Sequence, residues 1–150
     1  MRICFDAGLG ARLDLRVGGK IAPSSGQPLD AEVEVIGLER NARQTFGPSS
    51  IPVGDCAAAR VGGVDFVLTT NRTQATGLEL FTNLGIDPRQ KKIVVVKSTS
   101  HFLATYGPIA KKVVYVESGG PLRNDYRRMP YAKAERPIWP LDADAAAARG

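Results

Sequence analysis

Alternating apolar and polar residues predict two strands in the N-terminal third of the chain. Residues 13–17 place leucine or valine at every second position, with Asp14 and Arg16 between them. Residues 31–35 repeat this period of two with glutamates at the polar positions. Residues 40–52 show no such period and predict an irregular connection, with one short strand around Thr45-Phe46 left open. Because a period of two is typical of a strand with one buried face, the first two stretches predict an antiparallel β-ribbon.

Three later apolar runs predict strands in the interior of a sheet. They lie at residues 64–70, 93–96 and 113–116 and have apolar side chains on both faces. Apolar residues recur at helical spacing between them, within 74–84 and 102–109. Strands that alternate with helices usually form parallel, right-handed units. The predicted fold class is therefore α/β, with a mainly parallel sheet core and helices, plus the antiparallel β-ribbon in the N-terminal third.

Polar side chains follow two of these predicted strands where each strand ends. Arg72 comes after the first, and Lys97, Ser98 and Thr99 come directly after the second. Parallel strands end at one edge of their sheet, where ligands of open α/β sheets bind. His101, the chain's only histidine, follows in the first turn of a predicted helix. These five residues predict a site for a carboxylate or phosphate, with helix capping and a structural histidine as the alternative.

The composition predicts one domain over residues 1–150 that binds neither nucleic acid nor membranes. The net charge is +5, but the basic residues are dispersed and are not interleaved with aromatic ones. We find neither a secretory signal pattern nor an apolar run long enough to cross a bilayer. Cys4 and Cys56 lack C-x-x-C spacing. We therefore expect a cytoplasmic protein with free thiols.

A metal site made by this chain alone is not predicted. A catalytic zinc ion takes three protein ligands and keeps one position open for water. The chain offers one histidine, two widely separated cysteines and no H-E-x-x-H motif. No metal ligand is therefore assigned within residues 1–150.

A motif surrounds the histidine: Lys97-Ser98, then His101-Phe102, Ala104 and Pro108-Ile109-Ala110. It resembles the Lys-Ser-x-x-His-Phe-Arg-Ala…Pro-Ile-Ala signature in the C-terminal domain of the microcystinase C (MlrC) family of zinc metallopeptidases. Leu103 stands where that signature has arginine. The other similar segments, in the family's order, are Gly18-Gly19-Lys20, residues 64–70 with Arg72 and Gln74, Phe81 with residues 85–88, and residues 136–142.

The resemblance implies that this chain supplies only part of an enzyme. In the full-length family the zinc ligands belong mainly to a long N-terminal domain, and the resemblance implies that this chain begins inside the C-terminal domain. The chain would then be the C-terminal module of a zinc metallopeptidase or amide hydrolase that acts on small, linearised or cyclic peptides. It would be inactive when isolated. The implied partners are a zinc-bearing N-terminal domain or subunit and a small peptide substrate. Whether the chain also forms a homo-oligomer is left open.

The resemblance also gives the candidate site residues roles. His101 is the implied catalytic residue, whereas Lys97, Ser98, Thr99 and Arg72 would line the substrate cleft. The alternative function is a non-catalytic binding or assembly module that holds an anionic small molecule or an acidic segment of a partner.

A proline-punctuated tail follows the last apolar run. It contains Tyr131 and Trp139, whose large apolar areas favour burial. We therefore expect these two side chains to anchor the tail, with Trp139 well buried.

Overall fold

The computed structural model describes residues 1–21, 23–117, 129, 131–139 and 141–142. The chain divides into two compact units. The first combines Met1–Val17 with Pro28–Val114, and the second combines Gly18–Gln27 with Tyr115–Gly150. Within the described residues, every strand lies in the first unit.

The first unit is built on one antiparallel sheet. Its strands are β1 (Arg12–Val17), β2 (Leu29–Phe46), β3 (Ser49–Val61) and β4 (Val64–Thr69), which pair in this order. The α-helices are α1 (Arg2–Ala7), α2 (Glu79–Thr82) and α3 (Leu103–Tyr106), and 3-10 turns lie at Pro23–Ser25, Pro88–Gln90 and Gly107–Ile109. None of the described helices is long and apolar enough to cross a membrane.

The pairing of β1 with β2 follows the alternation in the sequence. Leu13 lies opposite Val33, so that apolar side chains share one face of the sheet. The other face is polar and carries Arg16, whose Nε and Nη2 donate to the carboxylate of Asp30 at 2.7 Å and 2.6 Å. The antiparallel β-ribbon predicted for this part of the chain is present.

The prediction of a mainly parallel α/β core is wrong. The apolar run at residues 64–70 does form β4, but β4 is antiparallel to β3 and places Val67 opposite Ala58. Only Gly62 and Gly63 connect the two strands, and Gly62 has a φ of +54°. So short a connection permits antiparallel pairing alone, since a parallel pair needs a crossover of a dozen or more residues.

The other two predicted interior strands are not formed. Residues 93–96 and 113–116 lie in neither a helix nor a strand. The helices predicted within 74–84 and 102–109 are reduced to α2 and α3, of four residues each. Strands β1 to β4 pair with one another in chain order, so that neither apolar run is inserted between them.

The stretch predicted to be irregular, residues 40–52, belongs to the longest hairpin. Strands β2 and β3 pair from Glu34 opposite Arg60 to Phe46 opposite Ser49. The register shifts several times along this ladder, as happens at β-bulges. Each extra residue moves the following side chains to the other face, which explains why the sequence shows no period of two there.

The core lies on both faces of β3. Ala57 and Ala58 are each fully buried, and neighbouring side chains of a strand point to opposite faces. Ala57 clusters with Cys4 of α1, whereas Ala58 clusters with Leu84, which follows α2. At Gly37 an added Cβ would lie 2.6 Å from the Leu84 carbonyl oxygen, so glycine permits this close approach.

Both cysteines are free thiols, as predicted, and both are buried. Burial raises the pKa of Cys56 to about 11, and the nearby charges of Asp55 and Glu39 act in the same direction. A buried thiol with a raised pKa is unreactive, so Cys56 is a core residue.

Asp65 forms two ion pairs beneath the sheet surface. Its carboxylate accepts from Arg60 Nε at 2.6 Å and from Lys91 Nζ at 2.6 Å, and its side chain is 8% exposed. The hydrogen bond from Arg60 contributes most to a pKa of about 2, although partial burial opposes this shift. The ion pairs therefore link the β3–β4 hairpin to the segment after α2.

We expect the free energy of unfolding to fall when Asp65 is protonated. The ordinary pKa is 3.8 and the folded value is about 2, so the stabilisation is present above pH 4 and is lost as the pH falls through 2. The difference corresponds to about 2 kcal/mol. Urea unfolding should show Asp65→Asn less stable than the parent at pH 6, with most of the difference gone at pH 2. Equal differences at both pH values would contradict this role.

In the second unit, Asp142 closes a short loop. It accepts from Arg136 Nη1 at 2.7 Å and 2.8 Å and from the Ile138 backbone nitrogen at 2.6 Å. Trp139 is 66% exposed and Tyr131 is 39% exposed. The expectation that Trp139 is well buried is therefore wrong. The hydrogen bonds that Asp142 accepts from Arg136 and Ile138 leave the indole of Trp139 exposed.

Candidate functional site

Two of the predicted site residues meet at the side chain of Gln74. Gln74 Oε1 accepts a hydrogen bond from Ser98 Oγ at 3.0 Å and lies 3.3 Å from His101 Nδ1. Gln74 belongs to the loop between β4 and α2, whereas Ser98 and His101 precede α3. This contact therefore joins two distant segments of the first unit at one point.

With Gln74 Oε1 facing the ring, the contact with Gln74 favours one tautomer of His101. An amide oxygen only accepts hydrogen bonds, so Nδ1 carries the proton in this arrangement. Nε2 is then an acceptor when the ring is neutral and a donor when the ring is protonated. The ring also packs edge-on against Phe46, with 5.1 Å between centroids and an interplanar angle of 84°. The imidazole is thus oriented from two sides while His101 stays exposed.

Buried Gln44 fixes the loop that carries Gln74. Gln44 is 1% exposed, and its Nε2 donates to the Gln74 carbonyl oxygen at 2.7 Å. Its Oε1 accepts from the backbone nitrogens of Thr76 at 3.0 Å and Gly77 at 3.1 Å. One side chain therefore satisfies three backbone groups that have no ladder partner.

Tyr106 of α3 holds the same loop from the other side. Its hydroxyl donates to the Gly77 carbonyl oxygen at 2.7 Å. Burial raises the pKa of Tyr106, and the charge of Glu79 acts in the same direction, so the hydroxyl stays protonated as a donor. A Cβ at position 77 would lie 2.7 Å from the Thr45 backbone nitrogen, so this approach requires glycine. The helix that follows His101 is thus tied to the loop that orients it.

The other predicted residues, Arg72, Lys97 and Thr99, are exposed. None of the three makes a hydrogen bond or ion pair with another described residue. No long helix begins at Ser98 to support an anion, because α3 starts at Leu103, has four residues and has no side-chain cap. The assignment of these three residues to a substrate cleft stays a prediction.

The described residues do not fit a zinc centre. No three His, Cys, Asp or Glu side chains converge within the part of the chain that the structure describes. A catalytic zinc ion needs three such ligands. This arrangement can orient a substrate or a developing charge, but its described residues do not assemble a metal site.

Sequence reasoning missed the residues that support His101. The sequence analysis assigns Gln74 no role in the site, and Gln44 and Phe46 lie in the stretch that shows no period of two. A polar residue such as Gln44 within a strand is normally read as exposed. The register shifts in β2 hide the fact that Gln44 faces the core.

Comparisons with known proteins agree on one family. The family model described as MlrC C-terminus matches residues 1–133. Microcystinase C from Sphingomonas sp is 35% identical over 142 residues, which cover 95% of this chain and 27% of that protein. A crystal structure assigned as a metallopeptidase, from Mesorhizobium sp. BNC1, has a TM-score of 0.75 at 24% identity, over 94% of this chain and 29% of that one. This chain spans about a quarter of each relative's length.

Proposed function

Because the chain belongs to the MlrC C-terminus family, we propose that it is the C-terminal module of a metal-dependent peptidase and that His101 is its catalytic residue. The observation that carries the proposal is the contact of His101 and Ser98 with Gln74. An exposed imidazole that is oriented by Gln74 and Phe46 is a suitable group for acid–base or oxyanion chemistry.

His101 would act on the carbonyl group of the scissile amide. The protonated ring donates Nδ1–H to Gln74 Oε1, which leaves Nε2–H for the oxygen that gains negative charge. One donor aimed at such an oxyanion lowers the barrier by about 3–4 kcal/mol. Gln74 is then a positioning residue, because it fixes the ring without touching the substrate.

The substrate would be a small peptide, linearised or cyclic. The name of the relative from Sphingomonas sp points to microcystin. Ser98, Thr99, Lys97 and Arg72 would line the cleft, where the two exposed cations suit peptide carboxylates.

The metal, which the resemblance implies is zinc, would belong to an N-terminal domain or subunit. Two observations support this division. The described residues bring no three ligands together, and the chain spans 27% of microcystinase C. The metal-bearing part would supply the Lewis acid, and this chain would supply His101 and the cleft residues.

We expect the isolated chain to hold no stoichiometric zinc and to cleave no short linear peptide. The reason is that three ligands are needed for a tightly bound catalytic ion. Elemental analysis after expression with zinc, together with a peptide assay, checks both points. One zinc per chain together with cleavage that His101→Ala abolishes would show that the chain is a complete enzyme.

The alternative is a non-catalytic module, and the exposed cations Arg72 and Lys97 favour it because they could hold an acidic segment of a partner. A fusion protein in which this chain replaces the matched quarter of Sphingomonas microcystinase C separates the two functions. In that fusion protein, loss of hydrolysis in His101→Ala supports catalysis, whereas full activity supports the alternative.

A further inference from the structure

The segment 93–96 is apolar but is only half covered. Ile93 is 80% exposed and Val95 is 81% exposed. Val94 and Val96 alternate with them and pack against the cluster of Ala75, Phe102 and Tyr106. One face of the segment therefore rests on the core beneath the candidate site, and the other face carries two large aliphatic side chains in water.

The backbone of this segment also lacks partners among the described residues. None of the residues 93–96 makes a backbone hydrogen bond to another described residue. β-branched residues favour strands, and a strand with unpaired N–H and C=O groups is a template for pairing with another strand. The segment thus has the side-chain alternation of a strand but forms no β-ladder with the described residues.

The charges beside the segment indicate what kind of surface would cover it. Lys92 and Lys97 flank it, are exposed and make no ion pair with a described residue. Lys91 differs, because it already pairs with Asp65. A complementary surface would therefore offer a strand edge with aliphatic side chains and acidic groups at its ends.

The size of the relatives points to one class of occupant, the part of each relative that lies outside the match. The matched region is 27% of microcystinase C and 29% of the metallopeptidase chain from Mesorhizobium sp. BNC1. About three quarters of each relative therefore lies outside the match and is available to cover this face. A second copy of this chain would instead bring one basic flank against another.

We infer that the segment 93–96 is a docking strand that pairs with an exposed strand edge in the part of a microcystinase C-type protein that this chain does not match. The inference rests on the proposed function in one respect, namely that such a part is the partner. Pairing would cover Ile93 and Val95 and satisfy the backbone. Because Val96 directly precedes Lys97 and Ser98, it would also place the partner beside His101.

Hydrogen exchange at residues 93–96 tests the inference. In the isolated chain these amides should exchange as in an unstructured peptide, because no described residue offers them an acceptor. In the fusion protein they should exchange at least about 100-fold more slowly, as in a paired strand. Protection in the isolated chain, with dimers by light scattering, would make a second copy the occupant and overturn the inference.

Matched variants locate the contact. Val95→Lys should leave the unfolding of the isolated chain unchanged, because the side chain is already exposed, but should abolish protection of the segment in the fusion protein. Val64→Lys, at another exposed valine in the first position of β4, should preserve that protection. Free exchange of the segment in a fusion protein whose β2 and β3 amides are protected would overturn the inference. Protection of the segment that persists in the Val95→Lys fusion protein would also overturn the inference.

Two further measurements keep the result decisive. If the fusion protein does not fold, exchange is measured at the aligned segment of intact microcystinase C, where free exchange overturns the inference. Hydrolysis and bound metal are measured separately. Protection without hydrolysis would contradict the proposed function but support the docking strand. Hydrolysis without protection would support the proposed function but overturn the docking strand.

Discussion

Replacing Gln44 with leucine should lower the free energy of unfolding by about 3 kcal/mol. The side chain is 1% exposed, and its Oε1 is the acceptor for the backbone N–H groups of Thr76 and Gly77. A buried donor without an acceptor costs about 1–3 kcal/mol, and leucine leaves two such donors. Urea unfolding with an unchanged m-value measures the difference.

The matched control is Gln90→Leu, because Gln90 is exposed and its side chain bonds to no described residue. That variant should lie within about 0.5 kcal/mol of the parent. A Gln44→Leu variant as stable as the control would mean that the loop carrying Gln74 does not depend on Gln44.

The second large effect is expected at His101 in the fusion protein. Replacing His101 with alanine should lower kcat by about 10²–10³-fold, as for the loss of one oxyanion donor. Binding of the metal should be unchanged, because His101 is not assigned as a ligand. Lys111→Ala, an exposed change outside the site, serves as the control and should retain activity.

Gln74→Leu separates positioning from catalysis. It should reduce kcat less than His101→Ala does, with little change in KM, because it frees the ring without removing it. The effects should not add in the double variant, since Gln74 acts through His101. Partial recovery of a His101→Gly variant by added imidazole would confirm that the ring itself is required. Additive losses without rescue would assign both residues a structural role.

The successes and failures of sequence reasoning follow from where each contact is made. The ribbon of β1 and β2 was predictable because its apolar residues, such as Leu13 and Val33, alternate with charged ones along neighbouring strands. The orientation of β4 was predicted wrongly, because an apolar run at 64–70 is compatible with several kinds of strand. The two-residue connection at Gly62 and Gly63 was the better indicator of its orientation.

The candidate site was partly readable for a similar reason. Ser98 and His101 are three residues apart, so one short motif predicts both of them as site residues. Their common partner Gln74 is 24 residues away from Ser98 and is fixed by Gln44 from β2. Contacts of that kind depend on the register of a bulged hairpin, which no local pattern encodes.

The failure at residues 93–96 has a different cause. The apolar run predicted a strand, and the alternating exposure from Ile93 to Val96 agrees with that local preference. What the described residues lack is a partner for its backbone. A strand is a property of two paired segments, so the apolar pattern of one segment alone does not establish that a strand forms.

We propose that this chain and a separate metal-bearing part together form one peptidase. Peptide hydrolysis by each part alone and by the two parts joined tests this proposal. Three proteins are compared on the same short linear peptide: this chain, Sphingomonas microcystinase C without its matched quarter, and the fusion protein. We predict that the truncated protein retains the metal but that only the fusion protein cleaves the peptide. Cleavage by this chain alone, or by the truncated protein as fast as by the fusion protein, would contradict the account.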